Sequence, residues 1–523
     1  MAWDTVATAR GPDPAREETT VQDLALPMWL TAAGAQRHGA HRIAMRDENG
    51  SMTYAELAEA MAGVGAGLLE TGLRPGDVVV TAMEPSIPHV VALLGAMRAG
   101  MIAAPLGTRL TSSEAVAYLE HLQPAAVVTD HAHADLAHTL GHRVIDLPEA
   151  DASTGDRLAP LRRAPVDLPA PGENDPAIIF PTGGTTGAPK GAVHTHRTLW
   201  LWLNTCAHGN PRVPTDVELC FSPFFHITLG TNLFTPLLAG GEVWIQRRFD
   251  AGAALEAIDR GATRLMGAPT MFTALRAHPQ FDSVDRSGVT AIRYGSTPST
   301  GEFIHDLMRD FPNARIRAGF GATEFGSVIG FDHEDLLAGR VSGIGRPLPG
   351  VTVRVLTGDG QEAGPGEVGE LVVSCPWQTI GYYGRREDTA ETYRCDGVHV
   401  GDLATRDADG WLSIVGRSKE MIISGGENVF PREVETVLLD HPAVADVIVY
   451  GVPDEFWGER VEAAVVPAGG AIVEAEQLRD HCRARLAGFK IPKAVRTIES
   501  IPLTPNNKPD RRAVRAAALT VTG

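Results

Sequence analysis

Ile178, Ile179 and Phe180 run into Pro181-Thr182-Gly183-Gly184-Thr185-Thr186-Gly187-Ala188-Pro189-Lys190-Gly191. An apolar, β-branched run that empties into glycines, hydroxyls and a lysine constrains the fold more than any other stretch. Backbone N–H groups can converge on an anion only where no Cβ intervenes, and Gly183, Gly184 and Gly187 provide that. Thr182, Thr185 and Thr186 add hydroxyl donors, and Lys190 adds a positive charge. Such a loop suits a polyphosphate. It is not a Walker A loop, because the lysine does not directly follow a glycine and no Ser or Thr follows the lysine.

Further segments, far apart along the chain, fit the same chemistry. They are Gly319-Phe320-Gly321-Ala322-Thr323-Glu324 and His399-Val400-Gly401-Asp402-Leu403. Next come Ile414-Val415-Gly416-Arg417-Ser418-Lys419-Glu420-Met421-Ile422 and Ser424-Gly425-Gly426-Glu427-Asn428. The last is Pro505-Asn506-Asn507-Lys508-Pro509-Asp510-Arg511. Together, and in this order, they resemble the adenylate-forming superfamily of acyl-CoA synthetases, luciferases and peptide-synthetase adenylation domains.

At 523 residues the chain exceeds the size at which a single core keeps growing, so at least two domains are expected. Residues 1–23 are rich in proline and charge and read as a loose tail. From there, short β-branched runs alternate with helical patterns: strands at 78–81, 101–105 and 126–129, a helix at 87–98, and further strands at 218–221, 242–245 and 291–294. This rhythm predicts an α/β fold of parallel-rich sheets covered by helices. From Gly350 the texture changes to short strands and glycine-rich turns, a small β subdomain. Residues 24–417 are therefore expected to form a large N-terminal adenylation domain. Residues 418–523 are expected to form a small mobile α+β domain, with helices at 434–439 and 478–486 and strands at 447–450 and 463–466.

The formal net charge of −18 argues against nucleic acid or an anionic membrane as a bulk partner. The 5 cysteines form no CxxC pair and suit reduced thiols in a cytoplasmic protein. Met1-Ala2-Trp3-Asp4-Thr5 lacks the basic and apolar regions of a signal peptide. The most apolar window, residues 87–106, is interrupted by His89, Arg98 and Pro105 and reads as core, so no integral membrane segment is expected. His131, His133 and His138 cluster, but a solvated helix explains them better than a metal site.

The resemblance assigns roles to individual residues. It implies that ATP is held by Thr182, Gly183, Gly184, Thr185, Thr186, Gly187 and Lys190, and by Gly295, Ser296, Thr297 and Pro298 around adenine. Gly319, Phe320, Gly321, Ala322 and Thr323 complete that set, with Asp402 on the ribose hydroxyls and Arg417 near ribose and phosphate. Mg²⁺ is expected on Glu324 and Thr182, since it prefers hard oxygen ligands shared with phosphates. Lys508 is the cation that bridges the substrate carboxylate and the α-phosphate, although Asn507 precedes it where the family commonly has Gly. His226 gates the acid pocket, whose lining is Phe225, Thr228, Leu229, Gly230, Tyr294 and Phe320, joined by Leu233 and Phe234. None of these is ionic, and Gly230 suggests room for a longer or bulkier acyl group. Lys419 marks the hinge. Ser424, Gly425 and Gly426 are expected to admit the pantetheine arm of CoA. The implied activity is an AMP-forming acyl-CoA synthetase acting on a hydrophobic acid, as in fatty acid metabolism; a homodimer is left open. The alternative is an enzyme that loads an acyl carrier protein or passes on its acyl-adenylate. Amino acids are disfavoured because residues 221–230 contain no Asp to pair with an ammonium.

Overall fold

The computed structural model describes residues 26, 39–107, 110–130, 135, 138, 143–148, 157–182, 190–213, 215–295, 301–469, 471–504 and 509–521. Among these, a 6-stranded sheet runs in the order Val144–Asp146, Ala126–Thr129, Val78–Ala82, Ile102–Pro105, Pro176–Thr182 and Lys190–Thr195. All neighbours are parallel except the last pair. Every residue of Val78–Ala82 is buried, which is why this strand reads as an unbroken apolar run. The helix Ile87–Arg98 begins where Ser86 accepts from the His89 N–H, with Pro88 in its first turn, and is buried from Ile87 to Met97. That burial accounts for the apolar window. Among the described residues no helix is long and apolar enough to cross a membrane.

A 9-stranded sheet lies beside it, in the order Arg346–Pro347, Gly326–Phe331, Arg315–Ala322, Ala291–Tyr294, Arg264–Gly267, Val217–Cys220, Glu242–Ile245, Ile43–Asp47 and Gly50–Thr53. Its centre, from Arg315–Ala322 to Ile43–Asp47, is parallel. Thr352–Leu356, Gly369–Ser374, Gly397–Arg406, Tyr393–Arg394 and Leu412–Arg417 form a small antiparallel sheet, the subdomain expected after Gly350. A fourth sheet contains Ile422–Ser424, Glu427–Val429, Val444–Asp454, Gly458–Pro467 and Ala494–Thr497, packed with the helices Pro431–Leu439 and Ala475–Arg483. Its central hairpin is much longer than the apolar runs 447–450 and 463–466 suggest. Part of the extra length is polar: Arg460 pairs with Asp454 of the neighbouring strand at 3.5 Å and with Glu462, two residues along its own strand, at 2.7 Å.

One irregular segment joins the two large sheets. Ile380 N–H donates to the Val193 carbonyl at 3.0 Å, Val193 N–H to Gly381 at 3.0 Å, and Tyr383 N–H to Gly191 at 2.8 Å. At its other end the Thr379 N–H and hydroxyl donate to the Glu324 carbonyl at 2.8 and 3.0 Å. Residues 379–383 thus tie the edge strand after the glycine loop to the Glu324 turn.

Candidate active site

Thr182, Gly295 and Ala322 stand at or just beyond the carboxyl ends of their strands, where open α/β sheets bind ligands. Gly183, Gly184, Thr185, Thr186, Gly187, Ser296, Thr297, Pro298 and Lys508 lie outside the described residues. The residues flanking them carry the geometry.

Glu324 occupies the turn between Arg315–Ala322 and Gly326–Phe331 and is buried. The Tyr382 hydroxyl donates to its Oε1 at 2.6 Å. Burial, and next the Glu324 charge, push the Tyr382 phenol far up, so it stays a donor. Lys190 sits 5.0 Å from the centroid of the Tyr382 ring and pairs with Asp388. The lysine at the end of the glycine loop is therefore already engaged by a carboxylate, which the expected phosphate contact did not include. Behind the turn lies His194, fully buried and stacked on Trp202 at 5.7 Å. Burial holds its pKa down at about 3, so it is neutral.

Asp402 and Arg417 are register partners in the small sheet, and Arg417 Nε donates to Asp402 Oδ1 at 3.0 Å. Burial opposes the Arg417 charge, but the carboxylates of Asp402, Glu420 and Glu324 outweigh it and raise its pKa. The contact Arg417 makes is with Asp402, the residue expected at the ribose; Glu324, the residue expected at the metal, adds a weaker favourable field.

His226 Nδ1 accepts from the Thr228 N–H at 3.3 Å and lies 2.9 Å from the Thr228 hydroxyl, which leaves the ring proton on Nε2. Phe225, Leu229 and Gly230 are buried next to it, and Leu233 and Phe234 continue into the core. Phe320 packs on the same core and lies 6.4 Å from Phe325. Tyr294 does not join this group. Its ring faces a second core, edge-on to Phe303 at 5.3 Å and Phe331 at 6.4 Å, because alternate residues of a strand point to opposite faces. Gly230 also departs from expectation: a Cβ there would stand 2.4 Å from the Trp202 ring, so the space is filled by an indole. On the side of Phe225, a cavity of about 370 Å³ is lined by Phe221, Phe224, Arg247 and Arg248. Its arginines pair with Glu48 at 2.5 Å and Glu84 at 3.8 Å.

Lys419 is exposed in the single turn Ser418–Glu420. Before it, Arg417 pairs with Asp402 in the small sheet; after it, Ile422 pairs with Val429 in the last sheet. A cavity of about 450 Å³ opens beside this turn, between Leu356, Glu370 and His399 on one side and Ser418, Met421 and Phe430 on the other. Ser424 is fully buried. Gly425 and Gly426 have φ of 64° and 84°, the paired left-handed turn that glycine favours in a tight hairpin. A Cβ on Gly425 would meet Trp457 at 3.0 Å, whereas Gly426 faces open space. Glycine is thus required here by the turn itself, before any ligand is considered.

Comparison with known proteins places this geometry. Residues 31–383 match the AMP-binding enzyme family and residues 433–508 the AMP-binding enzyme C-terminal domain. The chain belongs to the AMP-binding enzyme family. It is 36% identical over 482 residues to a feruloyl-CoA synthase of Amycolatopsis sp, covering 90% of this chain and 95% of that protein. It is 32% identical over 505 residues to a sulfoacetate–CoA ligase of Cupriavidus necator, covering 95% and 98%. Among solved structures, the o-succinylbenzoate CoA synthetase of Bacillus subtilis in complex with ATP and magnesium superposes with a TM-score of 0.82 at 27% identity, over 93% of this chain and 99% of that one. The expected resemblance to adenylate-forming acid–CoA ligases holds.

For an AMP-binding enzyme the donor set around Glu324 suits a hard cation. One carboxylate oxygen is taken by Tyr382, while the other makes no hydrogen bond among the described residues. Glu324 and Thr182 would hold Mg²⁺, which when bound with ATP draws charge off the phosphates. Tyr382 was missed in the sequence because an aromatic in Gly381-Tyr382-Tyr383-Gly384 reads as ordinary packing. Tyr382→Phe keeps the ring and removes the clamp. It should lower pyrophosphate release about ten- to a hundredfold, the scale of a hydrogen bond to a charged group, and raise the Mg²⁺ concentration needed. Titration with Mg²⁺ checks this; an unchanged Mg²⁺ dependence would show that the hydroxyl does not position Glu324.

Proposed function

We propose that this AMP-binding enzyme adenylates a carboxylic acid with a mainly apolar body and transfers the acyl group to CoA. In the first step a carboxylate oxygen attacks the α-phosphorus and the bond to the β-phosphate breaks, so pyrophosphate leaves with the electron pair. In the second the CoA sulfur attacks the acyl carbonyl carbon, AMP leaves, and the thiol proton passes to water. Both reactants of the first step are anions, so the protein's work is positioning and charge neutralisation. The observation that carries the reading is the buried Glu324 carboxylate, clamped by the Tyr382 hydroxyl at 2.6 Å, together with the Arg417–Asp402 pair at 3.0 Å. Lys508 supplies the mobile cation and Ser424, Gly425 and Gly426 lie on the thiol side. His226, held at Nδ1 by Thr228, gates the acid side.

Phe225, Leu229 and Phe320 present apolar surface to the acid, and a buried ammonium beside them would cost several kcal/mol. Each extra buried methylene should gain about 0.8 kcal/mol until the pocket is full. Pyrophosphate release is to be measured over straight-chain, aromatic and alicyclic acids, with and without CoA. Expected is a kcat/KM that rises from acetate with apolar size, and thioester that accumulates only with CoA. A maximum at acetate or at an amino acid would overturn the acid class. Acyl transfer to a carrier protein in preference to CoA would overturn the acceptor.

A further inference from the structure

Lys190 and Thr182 are register partners in the strand pair that closes the glycine loop. Directly opposed residues of an antiparallel pair project to the same face, so the lysine shares a face with one of the residues expected at Mg²⁺. Its ammonium stands over the Tyr382 ring, and the hydroxyl of that ring donates to Glu324 at 2.6 Å. A single side chain therefore separates the loop's cation from the other residue expected at Mg²⁺.

That cation is already occupied. It pairs with Asp388, and no other carboxylate pairs with it among the described residues. The two side chains are 23% and 27% exposed, so water screens the pair only in part. Asp388 belongs to the short helix Arg386–Thr392, which is pinned to the segment 379–383. The Tyr382 N–H donates to the Thr389 hydroxyl at 3.0 Å, and a Cβ on Gly381 would stand 2.6 Å from Thr389 Cγ2. The carboxylate is thus fixed on a short arm, whereas lysine reaches it on a flexible stem. When the pair opens, the ammonium is the part that moves.

We propose that Asp388 is a positioning residue that competes with the polyphosphate for Lys190. It holds the ammonium while the site is empty, yields it to the triphosphate, and takes it back as pyrophosphate leaves. This rests on the adenylating reading above and on Lys190 meeting the polyphosphate. Electrostatics gives the sign. A fixed negative charge beside a polyanion site repels the bound phosphates and stabilises the free lysine, so its removal tightens both ATP and pyrophosphate. The carboxylate thereby weakens the hold on a product that must leave in every turnover.

The test measures the KM for ATP and inhibition by added pyrophosphate at low salt and fixed Mg²⁺, with acyl-CoA formation as the readout. It compares wild type, Asp388→Asn, Lys190→Ala and the double variant. Asp388→Asn should lower both the KM for ATP and the half-inhibiting pyrophosphate concentration about three- to fivefold, the scale of a partly exposed ion pair. The double variant should match Lys190→Ala. Damage to the fold weakens binding, so the expected gain in affinity has no structural imitation. An unchanged or raised KM for ATP in Asp388→Asn, or a gain that persists without Lys190, would overturn the proposal. A Lys190→Ala enzyme with unaltered KM for ATP would overturn the lysine's role as well, and a failure of every acid to release pyrophosphate would overturn the adenylating reading itself.

Discussion

Lys508→Ala should lower acyl-adenylate formation by about two orders of magnitude or more, the scale of losing one charge contact made in the transition state. Supplied with preformed acyl-adenylate and CoA, the same variant should still make thioester. The expectation follows from the resemblance and from how the flanks of the terminal loop are held. Leu503 and Pro509 pair as an antiparallel bridge, and the Asp510 N–H donates to the Pro502 carbonyl at 2.8 Å. Arg511 then pairs with Glu435 at 2.5 Å, so the residues flanking Lys508 are tied to the last sheet and its helices. On the proposed reading, a cation mounted there would be delivered for one half-reaction and withdrawn for the other. Pyrophosphate exchange and a single-turnover thioester assay separate the two steps. Equal loss of both would count against the assignment.

Lys419→Pro should give the opposite pattern: pyrophosphate release persists and acyl-CoA output collapses. The chain changes sheets across Ser418–Glu420, and proline fixes φ where a rotation of the last sheet must be absorbed. A cavity of about 450 Å³ lies beside the turn. Wild-type rates for both steps would place the hinge elsewhere.

What the sequence made legible follows from where the chemistry sits. Glycines, hydroxyls and a carboxylate beside strand ends drew attention to Thr182 and Glu324 before any fold was known, while Asp402 and Arg417 were singled out by resemblance to the family's motifs. Strand and helix positions were equally plain where the runs were mostly apolar, as in Val78–Ala82 and Ile87–Arg98. The contacts that set those residues in place were hidden, because they join segments far apart in the chain. Tyr382 reaches Glu324 across 58 positions, and Asp388 reaches Lys190 across 198. The same holds for Gly230, whose missing side chain looked like open space until Trp202 was found in it. Tyr294, given to the pocket by resemblance, packs in the second core instead, because a motif match says nothing about which face of a strand a side chain takes.

Surface loops ordinarily accept insertions and deletions with little harm. The segment 379–383 has no regular structure, yet it should behave otherwise. It is bonded to Gly191 and Val193 at one end and to the Glu324 carbonyl at the other, so its length sets the offset between the glycine-loop strand pair and Glu324. A single added residue would slip that offset by up to one Cα–Cα step, about 3.8 Å, which is more than the span of a hydrogen bond. Length variation among chains of this kind should therefore accumulate on either side of this segment and be excluded from within it.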